Sequence, residues 1–371
     1  MRGVSRAWFG GVLADDLLDA SDDVAVLDRG GWWAVVLTFE GEVRLWRFGR
    51  RRRLPLPAPD DLWPGAEGPW ASSMDEAAYR DGVEQVRGRI REGEVYQANL
   101  CRVLSAPQPV LADGRPGDPW SLAATIAAGN PAPYSGVIDV PAAGPLPEQR
   151  LVCASPELFL ARDGSRVSSA PIKGTGATVA DLLPKDTAEN VMIVDLVRND
   201  LQHVCEPGTV EVRRLLEVQQ HPGLVHLVST VEGRLADGVG WPQLLAATAP
   251  PGSVSGAPKS SALRAIRDLE PVARGPYCGA VGWVDADART ARLAVGIRTF
   301  WWQDRRICFG TGAGITWGSD PAGEWAETEL KAARLLRLAS TPATASVPVP
   351  APVDRPIPTT PSATPSERER R

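Results

Sequence analysis

CGAVGWVDADARTARLAVGIRTFWWQDRRICFGT, residues 278–311, contains three β-rich runs, 278–285, 291–302 and 306–311, parted by short polar stretches. Together they predict an antiparallel meander. Just upstream, 260–269 has helical character and stops before Pro271, because the residue ahead of a proline is driven out of the α region. Downstream, 321–338 reads as the last helix. Working back toward the N-terminus, 151–161 and 166–172 are β-rich runs joined at Asp163-Gly164, as in a hairpin. Residues 186–203 predict a helix with Asp186 or Thr187 as its N-cap, and 210–212 returns briefly to strand character. In 75–91, Tyr79, Val83 and Val86 recur at three and four residues, a helical period that ends at Glu92-Gly93-Glu94 before the apolar VYQANL, 95–100. Strands alternating with long helices, and linked by hairpins rather than regular βαβ units, define an α+β protein with large antiparallel sheets.

Residues 1–74 read as a short β-rich N-terminal region, with strand-like runs at 24–27, 32–39 and 43–48 and a proline-rich connector ending near Trp70. Residues 75–339 form the main domain. From 340 to 371 Pro, Thr and Ser dominate, and so few apolar side chains cannot offset the entropy of ordering, which predicts a disordered tail.

The 371 residues carry 40 Lys and Arg against 45 Asp and Glu, a net charge of -5 that argues against general nucleic-acid binding. The basic patch Arg50–Arg53 stands alone beside a proline-rich stretch and reads as a solvated hinge face. The five cysteines are odd in number and form no C-x-x-C pair, so neither a disulfide framework nor a structural zinc site is expected. With three histidines there is little material for a histidine-rich metal site. Asp15 and Asp16 interrupt any signal-like apolar segment, and no run of eighteen apolar residues occurs, so neither export nor membrane spanning is expected and a cytoplasmic setting fits.

Chemistry-bearing residues fall in four places. Glu324, Glu327 and Lys331 are spaced by three and four and share one face of the last helix, a pattern that alone describes a solvated salt-bridged stripe. Asp186 and Glu189 occupy the first turn of their helix, where capping and the helix dipole account for them equally well. Were the two pairs to converge, carboxylates without His or Cys would suit magnesium better than zinc. PIKGTGAT, 171–178, lacks the spacing of a nucleotide-binding P-loop; Lys173 at a strand end is either a surface lysine in a glycine turn or a nucleophile or anion ligand. Gly312 and Gly314 in TGAGI are turn residues, or they let backbone N–H groups approach a carboxylate.

The order of the segments is more telling than any one of them. SPELFL (155–160), PIKGT (171–175), AENVMIVDLVRNDL (188–201), HLVST (226–230), GSVSGAPK (252–259), YCGAVGW (277–283), GIRTF (296–300), GAGI (312–315) and EWAETELK (324–331) together resemble the chorismate-utilising enzymes over residues 75–338. That family includes anthranilate synthase, aminodeoxychorismate synthase component I, isochorismate synthase and salicylate synthase. The resemblance implies two stacked antiparallel β-sheets flanked by helices, with the active site between them. It also implies magnesium bridging the ring carboxylate of chorismate to Glu189, Glu324 and Glu327, with Asp186 close by. Glu157 is similar to the general acid that protonates the departing ring hydroxyl, and His226 to the histidine near the reacting side of the ring. Gln97, Gly174, Thr175, Ser255, Tyr277, Arg298, Gly312, Gly314 and Lys331 match positions that hold substrate. A dianionic substrate suits Arg298, whose guanidinium can pair bidentately with a carboxylate.

Two positions choose among the branches. Where water is the nucleophile the position of Gln97 is typically a lysine base; glutamine is the residue of the ammonia users. Anthranilate synthases resemble PIAGT where this chain has PIKGT, and Lys173 is the mark of the aminodeoxychorismate branch. In that branch the lysine attacks ring carbon 2 before ammonia adds at carbon 4. The departures are a short N-terminal region, no clear LLES-type tryptophan-inhibition motif, and Ser255 in place of a common threonine. No Cys-His-Glu amidotransferase unit is present, so the resemblance implies a separate glutamine amidotransferase subunit, or free ammonia. A non-catalytic chorismate-binding subunit is disfavoured by the intact set Glu157, Lys173, Glu189 and Glu327.

Overall fold

The computed structural model describes residues 5–344, except 177, 183, 222 and 223, and gives the backbone alone at 175, 176, 181, 184, 185, 221 and 224. Of the tail expected over 340–371, residues 340–344 are placed instead: Ser340 ends the last helix and accepts from Trp70 Nε1 at 3.0 Å, and Ala343 N donates to Trp63 O at 2.9 Å; 345–371 lie outside the described residues. In chain order the first strands are β1 (Arg6–Phe9), β2 (Val12–Ser21), β3 (Trp32–Leu37), β4 (Val43–Arg53) and β5 (Ala71–Ser72), followed by helix α1 (Glu76–Arg91) and β6 (Gln97–Pro107). Helix α2 (Pro119–Gly129) precedes β7 (Tyr134–Val140), β8 (Gln149–Ser155), β9 (Leu158–Asp163), β10 (Arg166–Ala170) and β11 (Ile172–Gly176). Next come α3 (Pro184–Gln202), β12 (Glu211–His221), β13 (Leu224–Arg234), α4 (Trp241–Thr248), β14 (Gly256–Ala257) and α5 (Lys259–Leu269). The chain closes with β15 (Ala280–Asp285), β16 (Thr290–Val295), β17 (Thr299–Gln303), β18 (Arg306–Ile315) and α6 (Pro321–Ser340).

Among the described residues every ladder is antiparallel. One half runs β6, β18, β17, β8, β7, β1; the other runs β2, β4, β3, β15, β16, β9, β10, β13, with β11 and β12 both on β13. The β1–β2 hairpin joins the halves. This is the α+β architecture of antiparallel sheets and flanking helices that the sequence predicts. One core cluster packs Trp33, Val35 and Leu45 of the second half with Cys101 and Trp301 of the first, and extends to Ile193, Val194 and Val197 on α3. Another sets Trp120 and Leu122 of α2 and Ala332 and Leu335 of α6 against Val137, Val152, Phe300 and Phe309. Among the described residues no helix is long and apolar enough to cross a membrane.

The deciding stretch departs from a continuous meander. The 291–302 run breaks at Gly296-Ile297-Arg298, where Arg298 takes φ +52. Its first part, β16, pairs β9, and its second, β17, pairs β8, so two hairpins replace one meander and each serves a different half. Residues 24–28 form a 3-10 turn rather than a strand, because Asp23 accepts from Ala25 N at 2.9 Å and caps it. Helix α3 starts at Pro184, which places Asp186 inside its first turn instead of at the cap. Arg50–Arg53 ends β4; Arg50 and Arg52 pair with Asp15, and Arg51 with Asp285.

Candidate active site

Lys173 lies on β11 with Nζ 3.8 Å from Glu189 Oε2 on α3. The neighbouring Gly174 takes φ +82, and a Cβ there would stand 2.8 Å from Asp186 Cβ, so only glycine lets the strand close on the helix this tightly. Helix α3 is pinned from the other side by buried Asn190, which donates to Leu227 O at 3.1 Å and accepts from Ser229 Oγ at 2.5 Å. The first turn, with Asp186 and Glu189, is thereby aimed at Lys173. Thr175 stands opposite His226 in the β11–β13 ladder, and His226 is buried.

The facing wall is the β6–β18 pair, in which Gly314 lies opposite Asn99 and Gly312 opposite Cys101. A Cβ at Gly314 would stand 2.3 Å from Gln97 Nε2, 3.1 Å from Asn99 Oδ1 and 3.4 Å from Lys173 Nζ. The glycine is therefore the point where two amides and the lysine meet. Lys331 on α6 donates to Gly312 O at 3.1 Å and pairs with Glu327 Oε1 at 2.7 Å. Glu324, one turn earlier, is buried. Asp320 caps α6 by accepting from Gly323 N at 2.7 Å, and Thr311 Oγ1 donates to Thr328 O at 2.9 Å, so helix and strand are clamped. Farther along, Arg298 is half-buried; burial, then the like charge of Arg334 on α6, pushes its guanidinium below the ordinary value. Among the described residues it forms no salt bridge, which leaves a desolvated cation suited to an incoming carboxylate.

Glu157 sits between β8 and β9, 4% exposed, beside a cavity of about 20 Å³ also lined by Ser169, Asp200, Thr248 and Ser253. Burial pushes its carboxyl up to about 7, against the opposing pull of the Ser253 hydrogen bond and the Lys173 charge. A carboxyl that keeps its proton near neutrality can serve as a general acid. Ser255 donates to Pro251 O at 3.0 Å, and its carbonyl accepts from Asn99 N at 2.8 Å, tying the 252–255 turn to β6. Tyr277 is placed in the core, where the Cys101 thiol meets its hydroxyl at 3.9 Å and burial drives its pKa well up.

Three contributors escaped the sequence reading. Asn99 was signalled by strand period, two residues after Gln97 and hence on the same face. Asn190 carried no distinguishing signal. Buried Arg274 pairs with Glu270 at 2.5 Å and donates to Asn99 O and Val254 O, both at 3.0 Å, which anchors β6 and the 252–254 turn together. The magnesium expected from the resemblance finds the right chemistry, since all its assigned donors are carboxylate oxygens. Among the described residues no three His, Cys, Asp or Glu are grouped closely enough to hold a metal ion by themselves. Glu189 on α3 and Glu324 and Glu327 on α6 are the carboxylates that could offer oxygen ligands to such an ion.

The sequence pattern of chorismate binding enzymes matches residues 50–337, and the chain belongs to that family. Within it, the chain is 35% identical over 348 residues to anthranilate synthase component 1 of Streptomyces coelicolor, covering 85% of this chain and 65% of that protein. It is also 35% identical over 280 residues to aminodeoxychorismate synthase component 1 of Klebsiella aerogenes, covering 72% of this chain and 59% of that one. The chain thus spans about three fifths of the length of these relatives. The crystal structure of anthranilate synthase component I from Streptococcus pneumoniae TIGR4 shares the fold, with TM-score 0.72, 24% identity and 91% of each chain covered.

Proposed function

We propose that the chain aminates chorismate at ring carbon 4, as aminodeoxychorismate synthase component I, for p-aminobenzoate and folate or a related secondary metabolite. The observation that carries this reading is Lys173, at the position that distinguishes PIKGT from PIAGT, meeting the Gln97 amide around Gly314. A substrate carboxylate would pair with Arg298. Glu157 would give its proton to the carbon 4 hydroxyl, which departs as water while Lys173 Nζ bonds to carbon 2 and the ring double bonds shift. Neutral ammonia would then bond to carbon 4, the electron pair of the carbon 2 to Nζ bond returning to the lysine. Glu189, Glu324 and Glu327, with Asp186 beside them, would hold magnesium, whose charge neutralises the ring carboxylate. His226 would stand on the reacting side of the ring.

The designation of the relatives as component 1 supports a partner component, here taken to be a glutamine amidotransferase that delivers ammonia. Anthranilate synthase component I is the second reading, favoured by the Streptomyces coelicolor relative at the same identity. Incubating the purified chain with chorismate, magnesium and ammonium salts, and identifying products by mass and fluorescence, tests the assignment. Aminated product should increase as pH rises from 6 to 7, where neutral ammonia grows roughly tenfold, and glutamine should be inert until the amidotransferase is added. Glutamine-dependent activity from the pure chain, or isochorismate made without ammonia, would overturn the reading.

A further inference from the structure

Ala98, Leu100, Arg102, Leu104 and Ala106 follow one another on one face of β6, and all five are buried. Arg102 is the one charge among them. A buried guanidinium is costly to desolvate, and an apolar side chain of similar volume would fill the place as well. Each nitrogen of the Arg102 fork is nonetheless engaged. Nε and one terminal nitrogen donate to Thr328 Oγ1 at 3.1 and 2.9 Å, and that terminal nitrogen also meets the Glu329 carboxylate. The other terminal nitrogen donates to Ser72 Oγ at 3.1 Å. The guanidinium carbon lies 4.0 Å from the centre of the Trp325 ring, which Tyr79 meets edge-on at 5.7 Å. Trp325, Thr328 and Glu329 belong to neighbouring turns of α6, so one side chain of β6 grips the helix at three points.

The same turns carry Glu324, Glu327 and Lys331, and Lys331 in turn holds Gly312 O on β18. We propose that Arg102 is a positioning residue for the site: it fixes the rotation and translation of α6 so that Glu324, Glu327 and Lys331 face the magnesium and the ring carboxylate of the substrate. The inference rests on the reading of those three residues given under the proposed function. A slip of α6 by one residue would move it about 1.5 Å and turn it about 100°. Apolar contacts tolerate such a slip better than a planar fork does, because the donors of the fork point in fixed directions. Thr328 is fully buried, and Thr311, opposite Arg102 in the β6–β18 ladder, donates to its carbonyl at 2.9 Å. The charge of Arg102 thus contributes register where hydrophobic packing would contribute only adhesion.

The test uses Arg102→Met, which keeps an unbranched side chain between strand and helix and removes the fork. Manganese(II), an ion that takes the same oxygen ligands as magnesium, is titrated into the full chain with chorismate present and ammonia absent, and binding is read by electron paramagnetic resonance without turnover. Its dissociation constant should rise about tenfold in Arg102→Met, the scale of one lost hydrogen bond to a charged group. Arg102→Lys, which keeps the charge and a donor, should bring it back to within about threefold of the parent. Thr328→Val removes the acceptor of two of the bonds at nearly constant volume; it should weaken binding about threefold or more, and it carries the test if Arg102→Met fails to fold. Melting temperatures are measured alongside. A lowered melting temperature with an unchanged manganese dissociation constant would make Arg102 purely structural and overturn the proposal, as would an Arg102→Lys chain that binds no better than Arg102→Met. An unaltered chain that takes up no manganese with chorismate overturns the reading of the α6 carboxylates, and this inference with it.

Discussion

Glu157→Gln preserves the shape of a buried side chain and removes its ability to ionise. Burial carries the folded carboxyl from the ordinary 4.5 to about 7, so the native chain keeps a proton that the unfolded chain has already lost. Native protein binds more protons across that window, and stability falls as pH rises from about 4.5 to about 7, with the loss retained above. A gap of about 2.5 in pKa corresponds to roughly 3 kcal/mol. The Glu157→Gln chain has no such loss. Relative to the parent it should gain about 3 kcal/mol between pH 4.5 and pH 8, or about 4 °C in melting temperature for a chain of this length. Calorimetric melting of both proteins at matched pH values measures the gain, and comparing trends cancels any fixed difference in packing. The same variant should lose aminated product, because the amide cannot protonate a leaving hydroxyl. Parallel melting curves at every pH would refute the buried-acid assignment.

Lys173→Ala should abolish the aminated product and leave the far-ultraviolet circular dichroism unchanged; near-parental turnover would remove the lysine from the chemistry. Glu327→Gln should weaken magnesium dependence and activity together, since it deletes one anionic ligand, and an unchanged magnesium titration would place the ion elsewhere. Ending the chain after Thr344 should leave the melting temperature within about 1 °C, because a stretch so rich in Pro, Thr and Ser has few apolar side chains with which to offset ordering. Ending it after Ala339 should lower the melting temperature by about 2 °C or more, as it removes Trp70 Nε1 to Ser340 Oγ (3.0 Å) and Ala343 N to Trp63 O (2.9 Å). Equal melting temperatures for the two truncations would contradict that packing.

Local pattern reached part of the fold. Tyr79, Val83 and Val86 line the buried face of α1 as their spacing predicts, and α5 stops before Pro271. Helix α2 gave no such stripe: Pro119 to Ala124 and Ile126 are all buried, so no polar face marks a helical period. The strands β1 and β2 were hidden by Asp15, whose charge interrupts the apolar run and is paired with Arg50 and Arg52 on β4. The break of the 291–302 run depends on which half each part joins, a tertiary choice that strand propensity does not encode. The site was legible as residue types, but its assembly was not. Lys173 and Gln97 belong to distant segments brought together by β11, β6 and the gap at Gly314. The Glu270–Arg274 pair that anchors β6 straddles Pro271 beyond the end of α5, where the sequence marks only the stop of a helix.

The position of the new nitrogen decides whether chorismate is aminated at carbon 4. Chorismate incubated with the chain, magnesium and ¹⁵N-ammonium, followed by nuclear magnetic resonance of the product, should show the label bonded to ring carbon 4 with the enolpyruvyl group retained. Label at carbon 2 with release of pyruvate would identify anthranilate as the product and rule out amination at carbon 4.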